Sequence, residues 1–343
     1  MRKLLNTLYV TTPESYLARD GENVVVRVEN EEKFRIPIHN LEAIVCFGYM
    51  GASPQLMQLC TENNVSLSFL SPSGRFLGRV SGRVRGNVLL RRTQYLRADN
   101  REESLEIAKA FIIGKLVNCR TVLGRGIRDH GAVIDCDKVR AADALLIENL
   151  LKIEDCTSAD MLRGIEGNCA KFYFVTLDEL ILKQKDDFYL VERNRRPPLD
   201  NMNALLSFLY TLLAHDLESA LETVGLDPYV GFFHTDRPGR PSLALDMMEE
   251  LRPFMADRLA LNLVNMKQIS GRDFMKKENG GVILTDDGRK AVIAAWQKRK
   301  REMITHPYLN EKIPIGLLPY VQAMLMARFL RGDIDGYPPF FMN

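Results

Sequence analysis

The chain has 343 residues, 46% hydrophobic and 26% charged, with 46 Lys and Arg against 44 Asp and Glu for a formal net charge of +2. That length allows two domains, and that composition excludes a disordered chain. No apolar run approaches the ~20 residues a membrane helix needs, and the start "MRKLLNTLYVTTPES" lacks a signal-peptide cleavage pattern, so a cytoplasmic protein with no membrane partner is expected.

Residues 1–90 read mostly as strands. "YLARDGENVVVRVE" is two strand-like runs around an Asp20-Gly21 turn, a hairpin signal. "KFRIPIHNL", "AIVCFGYM", "VSLSFLS" and "RFLGRVSG" continue the pattern, and residues 53–64 are the one helix expected there, with Ser53 as N-cap and Pro54 at the first helical position. From about residue 100 the period becomes helical, starting with "REESLEIAKAFIIGKLVNCRTVL". Breaks fall at "NRRPPLD", "GLDPYVG", "TDRPGRP", "KENGG" and "HPYLN", and the tail "GDIDGYPPFFMN" looks irregular. The expected architecture is α+β in two domains: an N-terminal β-sandwich over 1–90, an Arg-rich connector over 91–101 and a larger all-α domain over 102–343.

Charge is unevenly spread. Between Ser73 and Arg101 lie Arg75, Arg79, Arg83, Arg85, Arg91, Arg92, Arg97 and Arg101 against a single acid, Asp99. Arg75, Arg79, Arg83, Arg85 and Arg91 share odd parity, so one extended strand would project them to one side, as a phosphate track or as a solvated basic face. Arg120, Arg125 and Arg128 and the run Lys298 to Arg301 add further basic clusters. Locally basic surfaces on a balanced chain suit a nucleic-acid binder with an acidic centre.

Two acidic features stand out. On a helical wheel, Leu162, Cys169, Ala170, Tyr173 and Leu177 fall within about 60° of Glu166, so its carboxylate lies on an apolar face. A buried carboxylate needs a partner or a metal. Glu166 is therefore either a site residue or half of a structural salt bridge to a cation such as an Arg. The flanking Gly164 and Gly167 suggest that something approaches the backbone closely. The second feature is "GFFHTDRPGRPSLALDMMEELRP", residues 231–253. Ser242 suits an N-cap, and the helix after it is apolar on two sides, with Asp246 and Glu249 between the stripes and Glu250 nearer one of them. That acidic edge is expected to face a cleft, with His234 on the Gly-bounded loop just upstream. Carboxylates and a neutral imidazole from separate elements suit Mn²⁺ or Mg²⁺.

Other candidates carry less. The six cysteines are scattered, with no C-x-x-C pair, and read as reduced thiols. Gly124 and Gly126 match no phosphate loop; His215 reads as a helix residue and His306 as a loop residue. No Ser-His-Asp or Cys-His signature is present.

The pieces "RGIEGNCAKFYF", "NRRPPLDNMNALLSFLYTLL" and "GFFHTDRPGRPSLALDMMEELRP", in that order behind a β domain, resemble the CRISPR-associated adaptation integrase, the first-numbered Cas family, in the variant that accompanies type I systems. The resemblance implies a β-sandwich followed by a helical catalytic domain, a homodimer, and a partner in the small second CRISPR-associated adaptation protein. It implies a metal-dependent DNA endonuclease and integrase that inserts spacers from protospacer DNA into the repeat array by phosphodiester transesterification. It places Glu166, His234 and Glu249 as catalytic ligands of Mn²⁺ or Mg²⁺, leaving Glu250 as the rival third ligand, with Asp246, Asn203 and Tyr210 around them. A non-catalytic DNA-binding scaffold, its acids in ion pairs, is the alternative. A nucleotide phosphohydrolase is disfavoured because no phosphate cradle is visible.

Overall fold

The computed structural model describes residues 5–72, 76–80, 82 and 88–342. The chain divides into two compact units, residues 1–86 and 87–343.

In the first unit the elements are β1 (Asn6–Val10), β2 (Ser15–Asp20), β3 (Asn23–Val28), β4 (Glu31–Pro37), β5 (Leu41–Phe47), β6 (Gly51–Ala52), α1 (Pro54–Glu62), β7 (Ser66–Leu70) and β8 (Phe76–Val80). They form two four-stranded sheets, ordered β1-β5-β7-β8 and β4-β3-β2-β6. β1, β5 and β7 run parallel, and β8 closes that sheet antiparallel. The expected hairpin is β2–β3, with Asp20 paired to Asn23 across Gly21 and Glu22. Strand alternation sends Leu17, Val24 and Val26 of one sheet and Leu41, Ile44, Cys46 and Leu67 of the other into one core, with Leu56, Leu59 and Cys60 of α1. α1 begins as its sequence predicts: Pro54 opens it and the Ser53 hydroxyl accepts from Leu56 N.

The second unit holds α2 (Val88–Asp99), α3 (Arg101–His130), α4 (Cys136–Glu154), α5 (Ala159–Leu177), α6 (Asn201–Val224), α7 (Ser242–Arg252) and α8 (Arg258–Asn265). It continues through β9 (Phe274–Lys276), β10 (Val282–Leu284), α9 (Asp286–Arg301), β11 (Met303–His306), β12 (Glu311–Pro314) and α10 (Leu318–Arg331). Asn100, Asp135, Ser158 and Asp200 cap α3 to α6 with their side chains, so each start is written locally. α7 runs into α8 through a π-helical turn, Pro253–Asp257, because Pro253 has no N–H to continue the ladder.

Several expectations change here. Residues 91–99 are helix within the second unit, not a connector. "KENGG" and "HPYLN" are the turns of two short antiparallel ribbons, β9–β10 and β11–β12, so the helical unit is not purely α. Strands of three and four residues are too short for alternation to show. Ser242 is the first residue inside α7 rather than its cap: its hydroxyl donates to Thr235 O. The Pro228 carbonyl instead accepts from Leu243 N and Ala244 N, at 3.0 and 3.4 Å. His306 ends a strand fully buried, with Nε2 3.0 Å from Gln322 Oε1. The tail is irregular, yet Tyr337, Phe340 and Met342 are buried.

Candidate functional site

α3, α5 and α7 pack together, and their charged residues meet inside the unit. On α3 the apolar face of Phe111, Ile112, Leu116 and Cys119 carries one cation, Lys115, itself only 5% exposed. Its ammonium touches Glu166 Oε1 from α5 and lies 2.8 Å from Glu249 Oε2 on α7. Arg252, one turn along α7, grips Glu249 through both oxygens, at 2.8 and 3.0 Å. Glu166 keeps 21% of its side chain exposed and Glu249 only 3%. Burial opposes ionisation of Glu249, but Arg252 and Lys115, then His234, outweigh it and hold the carboxyl below the usual range. Burial likewise works against the Lys115 charge, and Glu166 and Glu249 reverse it, holding the ammonium above an ordinary lysine.

The wheel reading of Glu166 holds: Leu162, Cys169, Tyr173 and Leu177 are buried along its side of α5. Its partner is a lysine, not an arginine. Gly164 and Gly167 face open space, with nothing within 4 Å of where a Cβ would stand, so no part of the described chain approaches them.

His234 sits on a loop held by four helices. Gln94 of α2 donates to the carbonyls of Asp227 and Val230, both at 2.8 Å, and accepts from Asp227 N. Ser104 of α3 donates to Phe232 O and Arg163 of α5 to Phe233 O. Asp246 of α7, fully buried, accepts from the main-chain N–H groups of Phe232, Phe233 and His234 at 2.7, 2.9 and 2.8 Å. Its Oδ1 also lies 2.6 Å from His234 Nδ1. Gly231 makes this approach possible, since a Cβ there would stand 2.7 Å from Asp246 Oδ2. A cleft of about 620 Å³ opens at His234, walled also by Arg101, Ser104, Ser158, Arg163 and Asp236. The acids of α7 are therefore interior groups rather than a cleft edge: Asp246, Glu249 and Glu250 are 0%, 2% and 0% exposed.

Glu250 points away from Glu249's partners. It accepts from Tyr337 O–H, from Gln322 Nε2 at 3.0 Å and from Phe340 N at 2.6 Å. Burial pushes its carboxyl up to about 7, against those donors. Gly114 lets α3 close on this point, because a Cβ there would meet Glu250 Cβ at 2.9 Å. These ties make Glu250 a fastening for the tail. Tyr210 is one step from Glu249: Arg252 stacks over its ring at 5.0 Å and its hydroxyl donates to Asp257 Oδ1 at 2.7 Å. Tyr173 donates to the other Asp257 oxygen at 2.9 Å, and burial raises that carboxyl to about 6. Asn203 is a step further out, holding Arg193 at 2.7 Å, and Arg193 stacks on Tyr210 at 5.3 Å.

The arginines of the stripe do not share one strand. Arg75, Arg83 and Arg85 lie outside the described residues. Arg79 is on strand β8, bonded to Ser68 Oγ, whereas Arg91 is on helix α2, donating to Gly225 O. Other basic clusters are partly spent within the chain. Arg120 pairs with Asp143, Arg128 with Asp129, and the buried Lys300 with Asp216 at 3.0 Å. Lys115, Arg252, Gln94 and Asp257 went unread in the sequence. Only Lys115 carried a local signal, a lone cation in the apolar run "FIIGKLV".

The donor set fits a divalent cation in its chemistry. Two carboxylates from different helices already converge on a cation, and the imidazole with Nδ1 engaged by Asp246 keeps Nε2 free to ligate. The set is not closed: among the described residues no three His, Cys, Asp or Glu side chains converge as ligands.

The profile of the family described as "CRISPR associated protein Cas1" matches residues 8–298. A relative named CRISPR-associated endonuclease Cas1 1, from Chlorobaculum tepidum, is 50% identical over 340 residues, 99% of each chain. A solved Cas1 protein from Thermotoga maritima aligns with TM-score 0.82 at 25% identity, over 95% of this chain and 97% of that one. A casposase bound to its integration product shares the fold, with TM-score 0.85 at 21% identity, over 99% and 95%.

Proposed function

The chain belongs to the Cas1 family of CRISPR-associated proteins, and from that premise we propose that it is a divalent-metal-dependent DNA endonuclease and integrase, inserting spacers into a repeat array by phosphodiester transesterification. One observation supports this most: α5 and α7 direct Glu166 and Glu249 at a single buried cation, beside a loop on which Asp246 fixes the His234 imidazole.

Glu166, His234 and Glu249 would hold Mn²⁺ or Mg²⁺, which supplies charge stabilisation at a phosphoryl oxygen and activation of the attacking hydroxyl. The chain's own residues prepare that site. Asp246 accepts the Nδ1 proton of His234, which leaves the Nε2 lone pair available. Arg252 keeps Glu249 ionised and fixes it through Nη1, which lies against both carboxylate oxygens. Tyr210 and Asp257 steady Arg252 from behind. In the exchange, a 3′-hydroxyl of the captured fragment forms the new ester as the repeat-strand phosphodiester breaks. Water in place of that hydroxyl gives strand cleavage. The proposed assembly is a cytoplasmic homodimer with Cas2, bound to protospacer and repeat DNA through Arg75, Arg79, Arg83 and Arg85. Six free cysteines fit a reducing compartment, and no helix among the described residues is long and apolar enough to cross a membrane.

The scaffold alternative draws on the Lys115 ion pairs, which satisfy both carboxylates without a metal. Calorimetry with Mn²⁺ separates the two. The integrase reading expects one Mn²⁺ per chain, lost in Glu166→Ala and His234→Ala together with strand transfer; a wild-type chain that binds no Mn²⁺ supports the scaffold.

A further inference from the structure

Lys115 has no role in the reaction just described, yet it occupies the centre of the site. We propose that Lys115 is the site's resident counter-ion: its ammonium stands between Glu166 and Glu249 where the divalent cation would sit, and the two exchange when the metal loads. This rests on the metal-dependent reading above and goes beyond it.

Three observations carry the proposal. The first is position: Lys115 Nζ bridges carboxylates on two different helices, contacting Glu166 Oε1 and lying 2.8 Å from Glu249 Oε2. The second is charge. Glu166, Glu249 and Asp246 face only Lys115 and Arg252, so with His234 neutral the cluster keeps a slight net negative charge without metal. Adding a divalent ion beside the ammonium would leave this desolvated cluster net positive, which a buried site resists. Removing the ammonium from between the carboxylates relieves that excess. Arg252 can stay, because it holds Glu249 from one turn along the same helix, with Nη1 against both oxygens.

The third is the asymmetry of the pair. Glu166 retains 21% exposure against 3% for Glu249, so solvent meets the bridge at its Glu166 end. Lysine suits exchange better than arginine: it is a point charge on a flexible four-carbon stem, with no planar fork to lock it onto a carboxylate. The arrangement keeps two acids assembled before any metal arrives, at the cost of competing with it.

The test compares wild type with Lys115→Met, which keeps the stem and removes the charge. Mn²⁺ alone is titrated by calorimetry, and thermal melts are run in EDTA and in Mn²⁺. The proposal expects Mn²⁺ to bind Lys115→Met roughly tenfold or more tightly than wild type. It expects the variant to melt lower than wild type in EDTA and to gain more from added Mn²⁺. If the variant folds only with Mn²⁺, EDTA titration of the loaded protein reads the same affinity. Equal or weaker Mn²⁺ binding by Lys115→Met overturns the proposal, because a lysine that supports the loaded site would have that effect. If wild type itself binds no Mn²⁺, the metal-dependent reading fails instead.

Discussion

Asp246 and His234 are joined twice, through main chain and side chain. One carboxylate oxygen takes the His234 N–H at 2.8 Å and sits 2.6 Å from the same residue's Nδ1. A single buried acid thus sets both where the loop runs and how the imidazole is turned.

Asp246→Ala is expected to act on both levels. Three buried N–H groups lose their acceptor, each costing about 1–3 kcal/mol, so thermal unfolding should report a loss of at least about 3 kcal/mol. Mn²⁺ affinity measured by calorimetry should fall about 10–100-fold, the usual effect of removing a group that orients a ligand. Unchanged affinity in a folded variant would dissociate the imidazole's orientation from metal binding.

Arg252→Ala leaves Glu249 with Lys115 as its remaining cation. Breaking a buried pair from one side costs about 3–5 kcal/mol, and denaturant titration should show a loss of that order. Arg252→Lys should recover only part of it, because an ammonium cannot reproduce the planar stacking on Tyr210.

Asp257 gives the pH prediction. Its folded carboxyl is raised to about 6 from an ordinary value of 3.8, so the native state binds the proton more tightly than the unfolded chain. Stability from this group is therefore fully present below pH 4 and is lost as pH rises to 6, a change of roughly 3 kcal/mol. Wild type compared with Asp257→Asn across pH 4–7 should fall more steeply, because Glu250, also raised, to about 7, contributes its slope to both. A parallel pair of curves would place the titration elsewhere.

DNA binding should weaken with salt, with a log–log slope of about 0.9 per phosphate neutralised. Arg91→Ala should change that slope least, because Arg91 stands on a helix, off the strand that carries Arg79. The double variant Arg83→Ala/Arg85→Ala should reduce the slope by up to about 2 if both arginines meet phosphate. Filter binding over a salt series reads both.

The sequence made local features legible and long-range ones not. Ser53 and Pro54 announced α1, and the wheel placed Glu166 on the apolar side of α5, because caps and periodicity are written within a few residues. Ser242 misled for the opposite reason: the carbonyl that caps α7 belongs to Pro228, which no local pattern reveals. The odd-parity reading of the arginines assumed one strand, and a helix beginning at Val88 ends that assumption for Arg91. Lys115 was visible as a charge in an apolar run, but its two partners come from helices 51 residues away and further along the chain. Matching motifs located His234 and Glu249; only packing shows what each one leans on.

Asn118 of α3 donates to Phe340 O and accepts from Met342 N, closing a loop of 222 residues at its first contact. So distant a closure cannot nucleate folding and must come late, after the helices between have formed. Until it closes, Glu250 lacks two of its three donors, Tyr337 and Phe340, and keeps only Gln322. Refolding should therefore pass through a species with its full complement of helices and an unfinished acidic helix, recovering secondary structure before metal-binding competence.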